Sequence, residues 1–349
     1  MKTDYIIVGQ GIAGSVMALT LRQAGRSVLI VDAAGKSSSS AIAAGVYNPF
    51  NFRRSMPVWK AEEAASMASR FYAEAEQVTG VPFHVSTPIV RVFQSEKEAA
   101  EWGAYITFPG ARFAQSPDDA GRRGAVITPY GSGMLSGGGV VNTERLISAT
   151  RTLFDNQGYY INEHFDHPAL IVGDNGVQYR SVEARKIIFC EGHLASGNSF
   201  FPERSIVPTK GELIHISVPG LNESSVINGP VYLAPLGNDE YVCGATFNPG
   251  RSDEEKTAQG RDELLTKLRT FVDLPCTVIR HLAGVRPAGR DRKPVIGLSS
   301  GSHNVAIFNG FGSKGVLMAP YLAQLLVNHV ENQAEIPAEI NIRRFGKGK

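Results

Sequence analysis

Cysteine is scarce in this sequence. The chain of 349 residues contains three, Cys190, Cys243 and Cys276, which lie far apart and form no CxxC pair. An odd number of widely spaced cysteines argues against a disulfide framework and against a zinc knuckle. A reducing compartment fits this content, and we expect a cytoplasmic protein.

An excess of one charge and long hydrophobic runs are also missing. The 35 Lys and Arg residues and 33 Asp and Glu residues give a net charge of +2, which does not support a mainly electrostatic nucleic-acid binder. The apolar run Tyr5–Val8 is shorter than a secretory signal needs. The stretch Val316–Val327 is interrupted by Pro320 and is too short to span a bilayer. We therefore expect neither a membrane nor a nucleic acid as a partner.

The chain is instead long and rich in glycine. Its 349 residues exceed an ordinary domain of about 100 to 150 residues, which predicts two domains or one large α/β unit. Because 43% of the residues are hydrophobic and 19% are charged, disorder is excluded as the main state. The 37 glycines form no repeat, so they indicate tight turns or places where the backbone approaches a ligand.

The N-terminal segment contains a dinucleotide-binding pattern. The run Tyr5–Val8 predicts a buried strand, and the sequence GQGIAG, residues 9–14, follows it directly. A helical pattern then ends at Gly25, which suits a C′ position. A second strand, Val28–Val31, leads into Asp32 at about the expected 20 residues from the glycines.

Each residue of this pattern has a physical role. Gly9 makes the tight turn, Gly11 lets the backbone approach a pyrophosphate, and Gly14 lets the helix pack against the strand. The helix N-terminus offers unpaired N–H groups to the phosphates. Asp32 would accept hydrogen bonds from a ribose 2′-hydroxyl and repel a 2′-phosphate, which favours FAD or NAD over NADP. The motif alone does not separate FAD from NAD.

Three later segments add to this pattern. They are SSSAIAAG at residues 38–45, GVRPAGRDRKPVIG at 284–297 and GFGSKGVLMAP at 310–320. The serine run by itself also suits a linker. Together with the N-terminal unit, and in this order, the segments resemble the D-amino-acid oxidase family of FAD-dependent oxidoreductases, in the branch with glycine oxidase and sarcosine oxidase. The resemblance spans nearly the whole chain.

The resemblance implies the fold class and the domains. It implies an α/β chain, α+β overall, with a Rossmann-type FAD-binding domain and an interleaved substrate domain built on an antiparallel sheet. The FAD-binding domain is expected at 1–80, 142–197 and 282–349, and the substrate domain at 81–141 and 198–281. Asn142 is predicted to cap a helix that ends near Gly158. Further strands are predicted at Tyr159–Ile161, Lys186–Phe189, Glu212–Ile216 and Tyr241–Ala245.

The resemblance also implies which residues meet the cofactor. The late turn should point backbone N–H groups at the pyrimidine edge of the flavin, where a helix dipole stabilises negative charge. The residues expected to contact FAD are Gly9, Gly11, Ile12, Ala13, Gly14, Asp32, Ala33, Ser40, Ala43, Ala44, Gly45, Val46, Phe165, Gly192, Gly284, Arg286, Gly310, Gly312, Ser313, Lys314, Gly315 and Val316. No metal site is predicted, because His164 and His167 have no cysteine or HExxH partner.

Arg286 and Lys314 are the expected catalytic residues. In the family, the arginine at the place of Arg286 pairs with the substrate carboxylate, since a guanidinium offers two parallel donors that lysine cannot imitate. The alternative is a structural arginine that binds a nearby carbonyl or acid. Lys314 would stabilise superoxide or attract an anionic substrate; the alternative is a side chain that points to solvent.

Two segments depart from the simplest oxidases. Glycine oxidases carry a second arginine where this chain has Ser313, which puts glycine in doubt as the substrate and allows a secondary amine or a larger amino acid. The stretch around Arg53 and Arg54 resembles proteins similar to the oxidase domain of the bifunctional tRNA wobble-uridine enzyme. These arginines would contact an anionic substrate or the cofactor, or lie in a solvated loop. Tyr47 and Phe50 would wall the flavin or belong to the core.

The function implied is FAD-dependent oxidation of a small amine or amino acid. Hydride would pass from the substrate carbon to flavin N5 and leave an imine, and dioxygen or another acceptor would reoxidise the flavin. One alternative is an RNA-modifying oxidase that acts on a carboxymethylaminomethyl base. Another is a non-catalytic FAD-binding subunit. The identity of the amine, the electron acceptor and the oligomeric state stay open.

Overall fold

The structure, a computed structural model, describes residues 1–33, 39–52, 55–107 and 111–346. Ser38 of the serine run and both Arg53 and Arg54 lie outside the described residues. Within these ranges the α-helices are α1 Ile12–Gln23, α2 Ala61–Thr79, α3 Glu96–Ile106, α4 Thr143–Asp155, α5 Ala258–Leu268 and α6 Gly315–Asn332. Short 3₁₀ helices lie at His167–Ala169, Gly192–Gly197 and Ile342–Phe345.

The strands belong to two large sheets and three small ones. In chain order they are β1 Lys2–Val8, β2 Val28–Asp32, β3 Val46–Tyr47, β4 Phe50–Asn51, β5 Met56–Pro57, β6 His84–Ser86, β7 Ile89–Val92, β8 Gly121–Arg123, β9 Val126–Thr128, β10 Ser132–Leu135, β11 Gly139–Val141, β12 Tyr160–Asn162, β13 Leu170–Gly173, β14 Gly176–Tyr179, β15 Val182–Phe189, β16 Ile206–Ser217, β17 Val226–Asn228, β18 Tyr232–Gly237, β19 Glu240–Gly244, β20 Asn248–Pro249, β21 Thr277–Gly289, β22 Val295–Leu298 and β23 Val305–Asn309.

The first large sheet is the Rossmann-type sheet that the N-terminal pattern predicts. Its order is β12-β2-β1-β15-β14-β13, and β23 pairs with the C-terminal half of β15 while β22 pairs with β23. Strands β12, β2, β1, β15 and β23 run parallel to one another, whereas β14 is antiparallel to β15 and β22 is antiparallel to β23. Parallel strands are covered on both faces, which explains why β1 and β2 are continuous apolar runs.

Helices cover one face of this sheet and aromatic side chains cover the other. Tyr5 and Ile7 pack with residues of α1, α2, α4 and α6. Ile6 and Val8 point to the opposite face, where Phe189 and Phe201 lie. The predicted caps are confirmed, because Gly25 follows α1 with a φ of +73° and the Asn142 side chain accepts a hydrogen bond from Arg145 N at the start of α4.

The second large sheet is mainly antiparallel. Its order is β10-β7-β17-β18-β19-β16-β20, and β21 pairs with β16 from Ile206↔Gly289 to Ser217↔Thr277. Side chains alternate between its two faces. One face packs against α5 through residues such as Ile214 and Leu264. The other, here the Arg286 face, carries Gly211, Leu213, Tyr232, Gly244 and Arg286, which cross-strand pairing places on one side.

The two sheets meet where β21 ends. Gly312 N donates to Pro287 O at 2.7 Å, and Gly289 N donates to Gly310 O at 3.2 Å. The glycine turn before α6 is thereby fastened to the strand that carries Arg286. The predicted fold class is confirmed, while the domain ranges stay a prediction; strand β21 continues across position 282. No helix in the described part of the chain is long and apolar enough to cross a bilayer.

Candidate cofactor and substrate site

The turn between β1 and α1 accepts only glycine at two positions. Gly9 has a φ of +90°, and a Cβ there would lie 2.7 Å from Cys190 O on β15's continuation. A Cβ on Gly14 would lie 1.9 Å from Gly9 O. Both distances are below any real contact, so a side chain at either position would force the strand and helix apart. These positions have the geometry that the dinucleotide motif requires.

Ser40 lies at the N-terminus of α1. Its Oγ accepts a hydrogen bond from Ile12 N at 3.0 Å, and a Cβ on Gly11 would lie 2.9 Å from the same oxygen. Ala13 is buried behind this turn. The serine segment therefore returns to the glycine turn, as a shared pyrophosphate site would need.

The segment that follows Ser40 is fastened to neighbouring backbone. Gly45 O accepts from Val141 N at 3.0 Å, and the φ of Gly45 is +69°. Thr143 Oγ1 donates to Ala43 O at 3.5 Å. Ala43 is exposed, whereas Ala44 and Val46 are partly buried. The small residues keep this segment close to the chain, which leaves room for a flat ligand beside it.

Asp32 ends β2 and is held by groups that sequence reasoning missed. Its Oδ1 accepts from Gln10 N at 2.9 Å, and its Oδ2 lies 3.7 Å from an Arg151 nitrogen and 3.4 Å from the Tyr160 hydroxyl. Arg151 Nε also donates to Gln10 Oε1 at 3.1 Å. The carboxylate stays partly exposed, as does Ala33 beside it, so Asp32 can still accept a ribose hydroxyl.

The N-terminus of α6 meets the N-terminus of α1. A Cβ on Gly315 would lie 3.2 Å from Ile12 Cγ2, and Val316 is buried with its carbonyl accepting from the Tyr72 hydroxyl at 2.7 Å. Gly310 and Gly312 turn the chain into α6 with φ values of +79° and +55°. Two helix N-termini, whose dipoles favour an anion, thus converge on one region.

Gly192 joins this region from β15. Its carbonyl accepts from Asn309 Nδ2 at 2.8 Å, and Asn309 Oδ1 accepts from Gly310 N at 2.8 Å. The asparagine therefore links the turn after β15 to the turn after β23. Gly284 reaches the same region from β21, since a Cβ there would lie 2.6 Å from Ile42 Cδ1.

Arg286 has no acid partner among the described residues. Its Nη1 donates a hydrogen bond to Thr246 O at 3.3 Å. The guanidinium lies over Gly211, where a Cβ would come within 2.1 Å of Nη1. Burial lowers the pKa of Arg286, but an arginine stays charged at any pH that proteins tolerate. Most of its donors are thus available to an anion.

Tyr232 lies on the same face and was missed by the sequence analysis. A Cβ on Gly244 would lie 2.8 Å from the Tyr232 hydroxyl oxygen. Burial raises the pKa of Tyr232 to about 12, against the smaller opposing effect of the Arg286 charge. The hydroxyl is therefore a protonated donor at neutral pH. Gly211 inside a strand was the available signal, because such a glycine marks a close approach.

Lys314 precedes α6 and is partly buried, whereas its neighbour Ser313 is exposed. Burial lowers the pKa of Lys314 to about 8. No side chain of the described ranges forms a hydrogen bond or ion pair with its ammonium group. The ammonium group of Lys314 is thus only partly solvated, and no acid among the described residues neutralises it.

The remaining aromatic residues lie mainly in the core. Tyr47 and Phe50 are both 3% exposed; Tyr47 bonds the His84 ring at 2.8 Å, and Phe50 packs against Trp102 at 5.6 Å. Of the two interpretations for Tyr47 and Phe50, the structure supports core packing. Phe165 stacks on Tyr179 at 4.3 Å and is partly buried on the face opposite the helices.

Cys190 and Glu191 have structural partners. Cys190 is buried beneath Gly9. The Glu191 carboxylate binds His167 Nε2 at 2.9 Å and Asn198 Nδ2 at 2.8 Å. The hydrogen bond between Glu191 and His167 raises the pKa of His167. Contact of the predicted set with a cofactor remains a prediction, although its members converge from β1, β15, β21 and β23.

Comparison with known proteins agrees with this arrangement. The family model for FAD dependent oxidoreductases (DAO) matches residues 4–329. One relative is the tRNA 5-methylaminomethyl-2-thiouridine biosynthesis bifunctional protein MnmC of Marinobacter nauticus. The two sequences are 25% identical over an alignment of 372 residues, which covers 97% of this chain and 56% of that protein. Glycine oxidase of Geobacillus kaustophilus is 23% identical over 361 residues, covering 95% of this chain and 94% of the enzyme.

Solved structures show the same fold. The crystal structure of G. kaustophilus glycine oxidase has a TM-score of 0.80 at 20% identity and covers 100% of this chain and 99% of its own. Iminodiacetate oxidase from a Chelativorans species has a TM-score of 0.80 at 22% identity, with 96% and 97% covered. The chain spans little more than half the length of the bifunctional relatives, 56% and 58% for two of them.

Proposed function

Because the chain belongs to the DAO family of FAD-dependent oxidoreductases, we propose that it oxidises the C–H bond beside the nitrogen of a small, carboxylate-bearing amine. When bound, FAD supplies the acceptor for the departing hydride, so that the substrate becomes an imine, and dioxygen or another acceptor later removes the electrons. The glycine-only positions and the two converging helix N-termini fit this cofactor. Gly9, Gly11, Gly14 and Ser40 would hold the pyrophosphate, and Asp32 the ribose.

The acid-free guanidinium of Arg286 is the observation that carries the proposal. A buried cation is costly unless an anion pairs with it. The carbonyl that Arg286 binds among the described residues, Thr246 O, carries no charge and does not neutralise the guanidinium. A substrate carboxylate would do so through two parallel hydrogen bonds, and the Tyr232 hydroxyl would donate a further one. These contacts would orient the substrate carbon without any general base.

Lys314 would provide a second positive charge. Since its pKa is lowered to about 8, the ammonium form predominates below that pH. A partly buried and unpaired cation attracts anions more strongly than a solvated one. We propose that it assists either binding of the anionic substrate or reoxidation by dioxygen.

The relatives support an amine close to a carboxylate. Glycine and iminodiacetate, named in the titles of two of them, both contain an N–CH₂–COO⁻ group. A binding arginine and a donor tyrosine suit that group. Ser313 supplies no charge at its exposed position, which leaves space for a substituent larger than hydrogen.

Substitution of Arg286 tests the proposal. We expect Arg286→Ala to raise the KM for the carboxylate-bearing amine by roughly 100-fold or more, because a charged hydrogen-bonded partner is removed. The measurement is flavin reduction under anaerobic conditions across D- and L-amino acids, glycine, sarcosine and proline. Arg280→Ala is the matched control, since Arg280 is exposed on the same strand. Unchanged kinetics for Arg286→Ala on a confirmed substrate would refute the role.

A second candidate is oxidation of a modified RNA base. It is favoured by the match to MnmC over 97% of this chain. RNA binding would weaken steeply as salt rises, since each phosphate contact releases counterions. Affinity for tRNA that is absent, or independent of salt, would exclude it. Activity that appears only with a second protein would instead identify a subunit.

A further inference from the structure

The segment from Thr246 to Thr257 is anchored along β16 beside Arg286. Thr246 N donates to Glu212 O at 3.0 Å, and Glu212 N donates to Thr246 Oγ1 at 2.9 Å. The Glu212 carboxylate accepts from Thr257 N and Thr257 Oγ1, each at 2.8 Å. Both ends of the segment are therefore held by one buried residue of β16.

A second buried charge holds the middle of the segment. The ammonium of Lys210, which is 1% exposed, pairs with the Asp253 carboxylate. Gly250 N also donates to Pro208 O at 2.9 Å. Because a buried charge keeps its partner in one place, this segment forms a fixed wall at the edge of the second sheet.

Phe247 lies in this wall directly after Thr246, whose carbonyl accepts a hydrogen bond from Arg286 Nη1 at 3.3 Å. The segment pairs with β16 through Lys210↔Asn248 and Thr209↔Pro249, so Phe247 comes opposite Gly211 one residue further along. Directly opposed residues on an antiparallel pair share a face and lie about 5 Å apart at Cα. The Arg286 guanidinium lies over Gly211. By this register, which the bond from Thr246 N to Glu212 O also follows, the Phe247 side chain belongs to the Arg286 face.

Phe247 is also 50% exposed. A large aromatic side chain that is half exposed near a partly buried cation has apolar surface that a ligand can cover. The nearby Arg286 would hold the carboxylate of that ligand. The neighbouring ring would then contact whatever apolar group the ligand carries next to its carboxylate.

We propose that Phe247 is a specificity-determining residue that covers an apolar substituent of the substrate. This inference rests on the proposed function and narrows it to amines that carry a carboxylate together with an aromatic or aliphatic group. The group is attached either to the α-carbon or to the nitrogen. Glycine, which has neither, gains nothing from this contact.

The test compares substrates with and without the apolar group. Anaerobic flavin reduction is measured for the wild-type holoenzyme, Phe247→Ala and Phe247→Leu. The substrates are glycine, D- and L-phenylalanine and N-benzylglycine. We expect Phe247→Ala to lower kcat/KM for one benzyl-bearing amine by roughly 10- to 100-fold and to leave glycine unchanged, while Phe247→Leu retains most of the preference. Phenylalanine and N-benzylglycine distinguish the two points of attachment.

Controls separate this contact from general damage. Leu236→Ala removes a side chain of similar exposure, 49%, from the same sheet and should change none of these ratios. Equal losses for glycine and for the benzyl-bearing amines, or no loss at all, would overturn the inference. Thermal unfolding and FAD content establish that each variant is folded.

Binding of carboxylates that cannot be oxidised makes the inference independent of turnover. Acetate and phenylacetate are titrated into the holoenzyme while the flavin absorbance is followed. Phe247→Ala should weaken the binding of phenylacetate by roughly 10-fold and leave the binding of acetate unchanged. If no amine reduces the flavin but this selective loss appears, the proposed function fails and the apolar contact stands. If amines are oxidised and phenylacetate is unaffected, the contact is wrong and the function stands.

Discussion

Gly211→Ala tests whether Arg286 works only in its present position. The new Cβ would lie 2.1 Å from Arg286 Nη1 and 2.4 Å from Nη2. Ordinary contact begins near 3.4 Å, so the guanidinium would have to move by more than about 1 Å. Because the guanidinium ends a flexible side chain, it can move without displacing the backbone of β16.

The expected effects on stability and on activity therefore have opposite signs. Replacing a strand glycine by alanine removes a conformational-entropy cost of about 0.5 to 1 kcal/mol, so the free energy of unfolding should stay level or rise slightly. A binding group misplaced by about 1 Å costs roughly 100-fold in rate. That factor corresponds to about 2.7 kcal/mol of activation free energy.

The assay pairs denaturant unfolding with anaerobic flavin reduction by the best carboxylate-bearing amine. Gly173→Ala is the control, because this strand glycine has its nearest foreign atom at an ordinary 3.8 Å. Gly173→Ala should change the free energy of unfolding about as much as Gly211→Ala does, and it should leave kcat/KM unchanged. Full kcat/KM in Gly211→Ala would refute the reasoning, because Arg286 would then work from another position. Unfolding of the variant would refute it too, because the new Cβ would then displace the backbone and not the guanidinium.

The remaining predictions concern Lys314 and Gly14. The pKa of Lys314 is lowered to about 8, so a reoxidation rate that uses its charge should fall as pH rises through about 8. Lys314→Met should lose this pH dependence and Lys267→Met should keep it; identical profiles for all three proteins would exclude the role. Gly14→Ala should prevent FAD incorporation, because its Cβ would meet Gly9 O at 1.9 Å. A yellow, stable Gly14→Ala protein would contradict this packing argument.

Local sequence was sufficient for the elements around the dinucleotide turn. The strand β1, the glycine turn, α1 and β2 follow one another within the first 32 residues, and β1 pairs with β2 within this short stretch. The cap at Asn142 and the C′ glycine at Gly25 are equally local, since a cap bonds residues two or three positions away. The order of the four segments likewise predicted the family.

The surroundings of the substrate site depend on long-range register. Tyr232 and Thr246 approach Arg286 because β16 pairs with β21 on one side and with β19 and β20 on the other. A shift of one residue in any of these ladders would turn the side chains to the opposite face. No spacing in the chain specifies that register, which is why Arg286 was the one residue predicted to meet the substrate from this face of the sheet.

The burial of the side chains distinguishes core residues from candidate site residues where the sequence left both roles open. Tyr47 and Phe50 lie in the core, while Lys314 is partly buried and has no acid partner in the described part of the chain. The sequence by itself determined the dinucleotide turn, because adjacent residues form it and glycine alone fits its steric limits. Only the tertiary structure decided which charges have no acid partner among the described residues and which residues surround Arg286, because both depend on strands that meet from distant parts of the chain.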